Sequence, residues 1–105
     1  VHFMKSKVKQ VEACMRELKI HGMVVEAGLQ EGQQAYVLSS KALNLINEAM
    51  CRMRERYPKA SEEDIKVKAL IFVVLHSMGY VAHKSLPIYM SLLNSLSDWK
   101  LIDQQ

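Results

Sequence analysis

Four stretches of this chain repeat apolar residues every three or four positions, the spacing that places side chains on one face of an α-helix. The stretches run from Ser6 to Ile20, from Ser39 or Ser40 to about Arg56, from Ser61 to Gly79, and onward from Ser85. Serine, the preferred N-cap, stands at the start of the last three, and glycine or proline follows the first three. The pattern therefore predicts four helices.

A β-hairpin is predicted between the first and second helices. The segments M-V-V-E-A-G and Q-A-Y-V-L hold β-branched and aromatic residues on either side of a polar turn that contains a glycine. Two strands alone are marginally stable in water. We therefore expect the apolar strand residues, Val24, Tyr36 and Leu38 among them, to pack against helices.

These elements define a mostly α fold with one small antiparallel β-hairpin, in the order helix, hairpin, helix, helix, helix. The length of 105 residues, half of them apolar, suits a single domain spanning residues 1–105. The third helix is apolar nearly all round and is expected to be central. After the last helix, the residues L-I-D are expected to form a short extended tail.

Composition narrows the classes of function. Fourteen basic residues against eleven acidic ones give a net charge of +3, which is compatible with a polyanionic partner without requiring one. The longest apolar run, Ala69 to Leu75, is too short to span a bilayer, and the N-terminal residues show no secretory signal. Because Cys14 and Cys51 form no disulfide framework or zinc motif, we expect a reducing cytoplasmic (intracellular) location without a membrane partner.

Catalytic machinery is not expected. The sequence contains no phosphate-binding loop, no nucleophile paired with a base, and no histidines at the spacing of a metal site. We therefore expect neither enzymatic activity nor a cofactor nor a bound metal. Both cysteines are expected to be inert thiols near apolar helix faces.

The segment from Lys5 to Ile46 joins a basic helix, a hairpin and a second helix in that order. Its sequences R-E-L-K-I-H-G-M-V-V-E and Y-V-L-S-S-K-A-L-N-L-I resemble the second half of a winged helix-turn-helix domain. The resemblance implies DNA binding, in which the basic helix enters the major groove and the hairpin touches the flanking backbone or minor groove. It covers about two fifths of the chain and lacks the two helices that precede the recognition helix in that family. Ala42 and Glu31 also stand where the family commonly has glycine and a basic residue.

The residues expected to contact DNA are basic or amide side chains on these elements. Cations can neutralise phosphates, and amides or guanidinium groups can reach base edges. The candidates on the helix are Lys5, Lys7, Lys9, Gln10 and Arg16; those on the hairpin are Gln30, Gln33 and Gln34; and Lys41 lies near the next helix start. The alternative interpretation of the basic helix is a face that is merely solvated. For the run Arg52, Arg54, Arg56 and Lys59, local pairing with Glu62, Glu63 and Asp64 is expected instead of phosphate binding.

Two functions follow from these patterns. The first is a small DNA-binding transcriptional regulator, expected to be a homodimer through the second and third helices and to bind double-stranded DNA. The second is a helical protein-interaction or assembly module that has a winged shape but does not bind nucleic acid. Salt dependence separates them, because only the DNA reader releases counterions on binding.

Overall fold

The computed structural model describes residues 2–79 and 84–104, with side chains described for residues 9–79 and 84–96. The elements within these ranges are α1 (His2–Ile20), β1 (Val24–Gln30), β2 (Gln33–Leu38), α2 (Ser40–Arg56), α3 (Glu62–Met78) and α4 (Leu86–Gln104). The predicted mostly α fold and the order of its elements are therefore confirmed. No helix in the described part of the chain is long and apolar enough to cross a membrane.

The helix ends follow the signals in the sequence. Gly22 has a φ of 73° after α1, and the Met23 N–H donates to the Leu18 carbonyl at 2.9 Å, as in a Schellman motif. Ser39 and Ser61 cap α2 and α3, since their side chains accept hydrogen bonds from backbone N–H groups three residues later. Gly22 therefore ends α1, and Ser39 and Ser61 begin α2 and α3, at the positions that the sequence pattern predicts.

The hairpin is antiparallel and tightly turned. Gln30 pairs with Gln33, and the two residues between them, Glu31 and Gly32, have φ angles of 54° and 78°. Positive φ at both positions is the type I′ geometry, whose twist matches that of the flanking strands. Closer to the base, β1 carries one residue more than β2 between two cross-strand pairs, which makes a β-bulge that includes Gly28 at φ 94°.

One cluster of buried side chains draws on all six of these elements. Helix α2 packs on α3, and α4 lies against α3, β2 and α1. The expected strand contacts are confirmed, because Val24 and Leu38 are buried and Tyr36 packs against the cluster. The buried members are Cys14, Leu18, Met23, Val24, Leu38, Ala42, Ile46, Ala49, Ala69, Leu70, Val73, Val74, Met78, Tyr89 and Leu93.

The third and fourth helices differ from expectation in three respects. Helix α3 buries six side chains but leaves Val67, Phe72 and Leu75 substantially exposed, so it is central on one face only. The predicted extended tail is wrong, because L-I-D lies within α4. Tyr89 is 2 % exposed, although the sequence pattern did not assign it to the core. Tyrosine carries a polar hydroxyl and is therefore not assigned to a core by its sequence pattern, but the ring of Tyr89 lies on the same buried face of α4 as Leu93.

Candidate nucleic-acid interface

The outer face of α1 carries two of the predicted cations. Lys9 and Arg16 are both exposed, and their spacing of seven residues, about two turns, places them within roughly 20° of each other around the helix axis. Among the residues with described side chains, neither has an ion-pair partner. Glu12 is exposed between them and reduces the local positive charge. Gln10 is exposed as well, but it lies about 100° away around the helix and does not share this face.

Lys19 forms an ion pair with the hairpin. Its Nζ lies 2.5 Å from Glu26 Oε1, and both side chains are about half exposed. The hydrogen bond to Glu26 and the charge of that carboxylate raise the pKa of Lys19. The pair ties the end of α1 to β1 and removes one cation from the set that is free to contact a phosphate.

The hairpin stands away from the core along most of its length. Every residue of β1 after Val24 is exposed, and so are Glu31 to Gln34 at the turn and the start of β2. Gln30 and Gln33 face each other beside the turn. Gln34 uses its amide within the hairpin, donating to the carbonyls of Gly28 and Ala35 at 3.0 and 3.1 Å. Gln30 and Gln33 therefore lie at the tip, and Gln34 also stabilises the bulge.

Hydrogen bonds fix the base of the hairpin between α1 and α2. Ser39 Oγ donates to the Gly22 carbonyl at 2.6 Å, and the Ser39 N–H donates to the Met23 carbonyl at 2.9 Å. The same Oγ accepts from Ala42 N at 3.1 Å and so caps α2. Lys41, expected near a phosphate, donates from Nζ to the His21 carbonyl at 3.3 Å. Lys41 remains exposed, but one of its three donors serves this junction.

Replacing Ser39 by alanine is expected to lower the free energy of unfolding by about 1–2 kcal/mol, since it removes both a helix cap and the bond to Gly22. Ser40→Ala is the matched control, because Ser40 is exposed and is not the cap; it should change stability by less than about 0.5 kcal/mol. Urea denaturation followed by circular dichroism measures both values. Equal losses in the two variants would contradict the role given to Ser39.

The structure brings some of the predicted residues together and leaves others apart. Lys9 and Arg16 share one face of α1, whereas Gln30 and Gln33 lie at the hairpin tip and Lys41 lies at its base. Lys5 and Lys7 belong to α1, but their side chains lie outside the described residues. A helix face next to an exposed hairpin is an arrangement that can follow a DNA groove and its flanking backbone.

Two exposed apolar residues on the same elements were missed. Ile20 is 74 % exposed and lies four residues after Arg16 on the outer face of α1, and Leu29 is 73 % exposed near the hairpin tip. Ile20 lies outside the apolar stripe of α1, and this position could have predicted its exposure from the sequence. Apolar side chains at such positions can contact the methyl group of thymine.

A second surface lies along the seam between α2 and α3. A depression of about 510 Å³, here called the α2–α3 groove, is lined by apolar side chains together with Lys68 and His76. Its apolar lining consists of Met53, Tyr57, Ile71, Phe72 and Leu75.

The basic run at the end of α2 is paired in part, as expected. Arg54 Nε donates to both carboxylate oxygens of Glu62, at 3.0 and 3.2 Å. The hydrogen bond and charge of Glu62 raise the pKa of Arg54. Arg52, Arg56 and Lys59 are exposed and make no ion pair with another described side chain.

The histidines and cysteines are scattered over the described part of the chain. Within them, three or more His, Cys, Asp or Glu side chains do not gather into a group that could hold a metal ion, and His2 and His83 lie outside the described side chains. Cys14 is buried beside the apolar face of α1, whereas Cys51 is exposed on α2. It follows Met50 on α2 and projects away from Ala49 and Ile46, which face the core.

Comparison of the chain with protein-family models, curated protein sequences and solved structures finds no match in any of the three.

Proposed function

We propose that this chain is a small DNA-binding transcriptional regulator that contacts double-stranded DNA with the outer face of α1 and with the hairpin. One observation supports it most: two exposed cations, Lys9 and Arg16, share one face of α1, and the C-terminal end of this helix is joined through Lys19 and Glu26 to a hairpin that is exposed beyond its base. The net charge of +3 is compatible with a polyanionic partner. We also propose a cytoplasmic location, because Cys14 and Cys51 are both free thiols.

In this mechanism the elements have different tasks. Lys9 and Arg16, with Lys5 as a further cation of α1, neutralise phosphates or reach guanine edges in the major groove. Gln30 and Gln33 contact the adjacent backbone or minor groove from the hairpin tip. The Lys19–Glu26 pair and the bonds of Ser39 hold the hairpin at a fixed angle to α1.

DNA binding is tested by fluorescence anisotropy with a labelled duplex of random sequence at 50 and 200 mM salt. Three phosphates neutralised by Lys5, Lys9 and Arg16 give a slope of about −2.7 in log K against log salt, and hence roughly a 40-fold loss of affinity across this range. The triple variant Lys5→Ala, Lys9→Ala, Arg16→Ala is expected to lose at least about tenfold in affinity at 50 mM salt.

The matched control is the triple variant Arg52→Ala, Arg56→Ala, Lys59→Ala, which removes the same charge from a different surface. It should bind DNA within about threefold of the natural chain. Equal losses in both triple variants would show attraction by net charge alone. Absence of binding at 50 mM salt would reject the DNA-binding function.

The second candidate function is a protein-interaction or assembly module without nucleic-acid binding. The α2–α3 groove favours it, because apolar side chains are exposed there next to one another. If the protein is such a module, the variants of α1 should bind its partner as tightly as the natural chain does.

The homodimer expected from the sequence remains a prediction. Helix α3 uses most of its apolar side chains within the chain, but Val67 is exposed on the side of α3 that faces α4, away from the α2–α3 groove. Light scattering that gives twice the 12.0 kDa mass of one chain would support a dimer.

A further inference from the structure

Exposed apolar side chains are concentrated at the α2–α3 groove. Phe72 and Leu75 are each 39 % exposed and Tyr57 is 42 % exposed, although an aromatic or aliphatic side chain of this size gains most from burial. Contiguous exposure of this kind marks interaction sites in soluble proteins.

The spacing of these residues suits a helical partner. On α3, Lys68, Phe72 and Leu75 lie at i, i+4 and i+7, which forms one stripe along two turns. Met53 of α2 and Tyr57, the residue that caps the C-terminus of α2, form the opposite wall. A groove between two helices accepts the apolar stripe of a third amphipathic helix, which inserts residues at i, i+3 or i+4, and i+7.

The groove is lined by one cation, Lys68, and by no carboxylate among the described residues. Lys68 Nζ lies 4.7 Å from the centroid of the Tyr57 ring, which holds the ammonium at the rim. The His76 ring stacks on Phe72 with centroids 5.4 Å apart. Phe72 and His76 also line an adjoining depression that contains Arg52. Glu48 is the one carboxylate among the described residues that line this second depression.

A second copy of the chain fits this charge pattern poorly. In a two-fold antiparallel contact centred on Phe72, residues four before and four after it meet, so Lys68 would face His76 of the other copy. The Lys68 ammonium would then have no carboxylate opposite it in an interface that excludes water. A partner with carboxylates beside its apolar stripe would instead pair with Lys68 and Arg52.

We propose that the α2–α3 groove binds an amphipathic helix of a partner protein, one whose apolar stripe is flanked by Asp or Glu side chains. The apolar stripe fills the groove between Met53, Tyr57, Phe72 and Leu75, and the flanking carboxylates pair with Lys68 at one rim and Arg52 at the other. This site is separate from the outer face of α1 and does not depend on DNA binding.

The test uses two fluorescein-labelled synthetic helical peptides with the same leucine stripe, flanked by Glu in one and by Lys in the other. We expect the Glu peptide to bind the natural chain at least about tenfold more tightly than the Lys peptide. Lys68→Glu should weaken binding of the Glu peptide at least about tenfold, and Phe72→Ala should weaken it by a similar factor.

Arg16→Glu is the matched control, because it changes the net charge by the same amount on α1; it should leave peptide affinity within about twofold. Circular dichroism checks the fold of each variant, and Lys68→Glu alters an exposed residue. Equal affinity for both peptides, or equal losses in Arg16→Glu and Lys68→Glu, would overturn the proposal. A dimer by light scattering that Phe72→Ala dissociates would assign the groove to a second copy and overturn it as well.

Discussion

Leu93→Ala is expected to lower the free energy of unfolding by roughly 2–5 kcal/mol, the range observed when a fully buried leucine is truncated and leaves a cavity. Leu93 is 0 % exposed, and it belongs to α4, the helix that contacts α3, β2 and α1. Because a small domain has only about 5–15 kcal/mol of stability, this single change can unfold a substantial part of the population.

Urea denaturation followed by circular dichroism measures the loss, with Ser95→Ala as the control on the exposed face of the same helix. The control should lie within about 0.5 kcal/mol of the natural chain. A loss below about 1 kcal/mol for Leu93→Ala would mean that α4 is not part of the cooperative core.

Alkaline pH is expected to destabilise the fold through Tyr89. Burial raises the pKa of its phenol to about 12, and the neighbouring Cys14 thiol and the charge of Glu17 contribute in the same direction. Between the ordinary value near 10 and the folded value, the unfolded chain loses this proton while the folded chain keeps it. The stability from the neutral phenol is therefore complete below about pH 10 and is lost as the pH rises to about 12.

This difference in pKa between the folded and the unfolded chain corresponds to about 2–3 kcal/mol in the free energy of unfolding. Tyr89→Phe keeps the ring and removes the titrating group, so the difference in unfolding free energy between the natural chain and this variant isolates the effect. We expect that difference to fall by about this amount between pH 9 and pH 12. Parallel loss of stability in both proteins would refute the role of Tyr89.

The sequence predicted the elements of the fold because their signals are local. Helical spacing, the serines at positions 39 and 61, and the Gly22 cap each act within one or two turns. The extended tail was a wrong prediction, because three residues carry too little pattern to show that α4 continues. The partial exposure of α3 was hidden for another reason: an all-round apolar helix does not reveal which of its faces a neighbour covers.

The candidate interface was predictable in part. Exposure of Lys9 and Arg16 follows from the apolar stripe on the other side of α1, so helix geometry alone gives it. The Lys19–Glu26 pair and the bond from Lys41 to the His21 carbonyl could not be predicted, because they join residues brought together only when the hairpin folds back. The α2–α3 groove could not be predicted from the sequence either, since it depends on how two helices pack.

The bulge in β1 decides which side chains share a side of the hairpin. Residues paired across strands lie on one side, so Val24, Glu26 and Leu29 share a side only because one additional residue intervenes between Glu26 and Leu29. Deleting Ala27 would remove the bulge and leave Leu29 opposite Gln34, on the same side of the hairpin as Glu26. Among related chains, a one-residue gap at this point would therefore change the local twist of the hairpin, while the side chains at its tip would keep their sides.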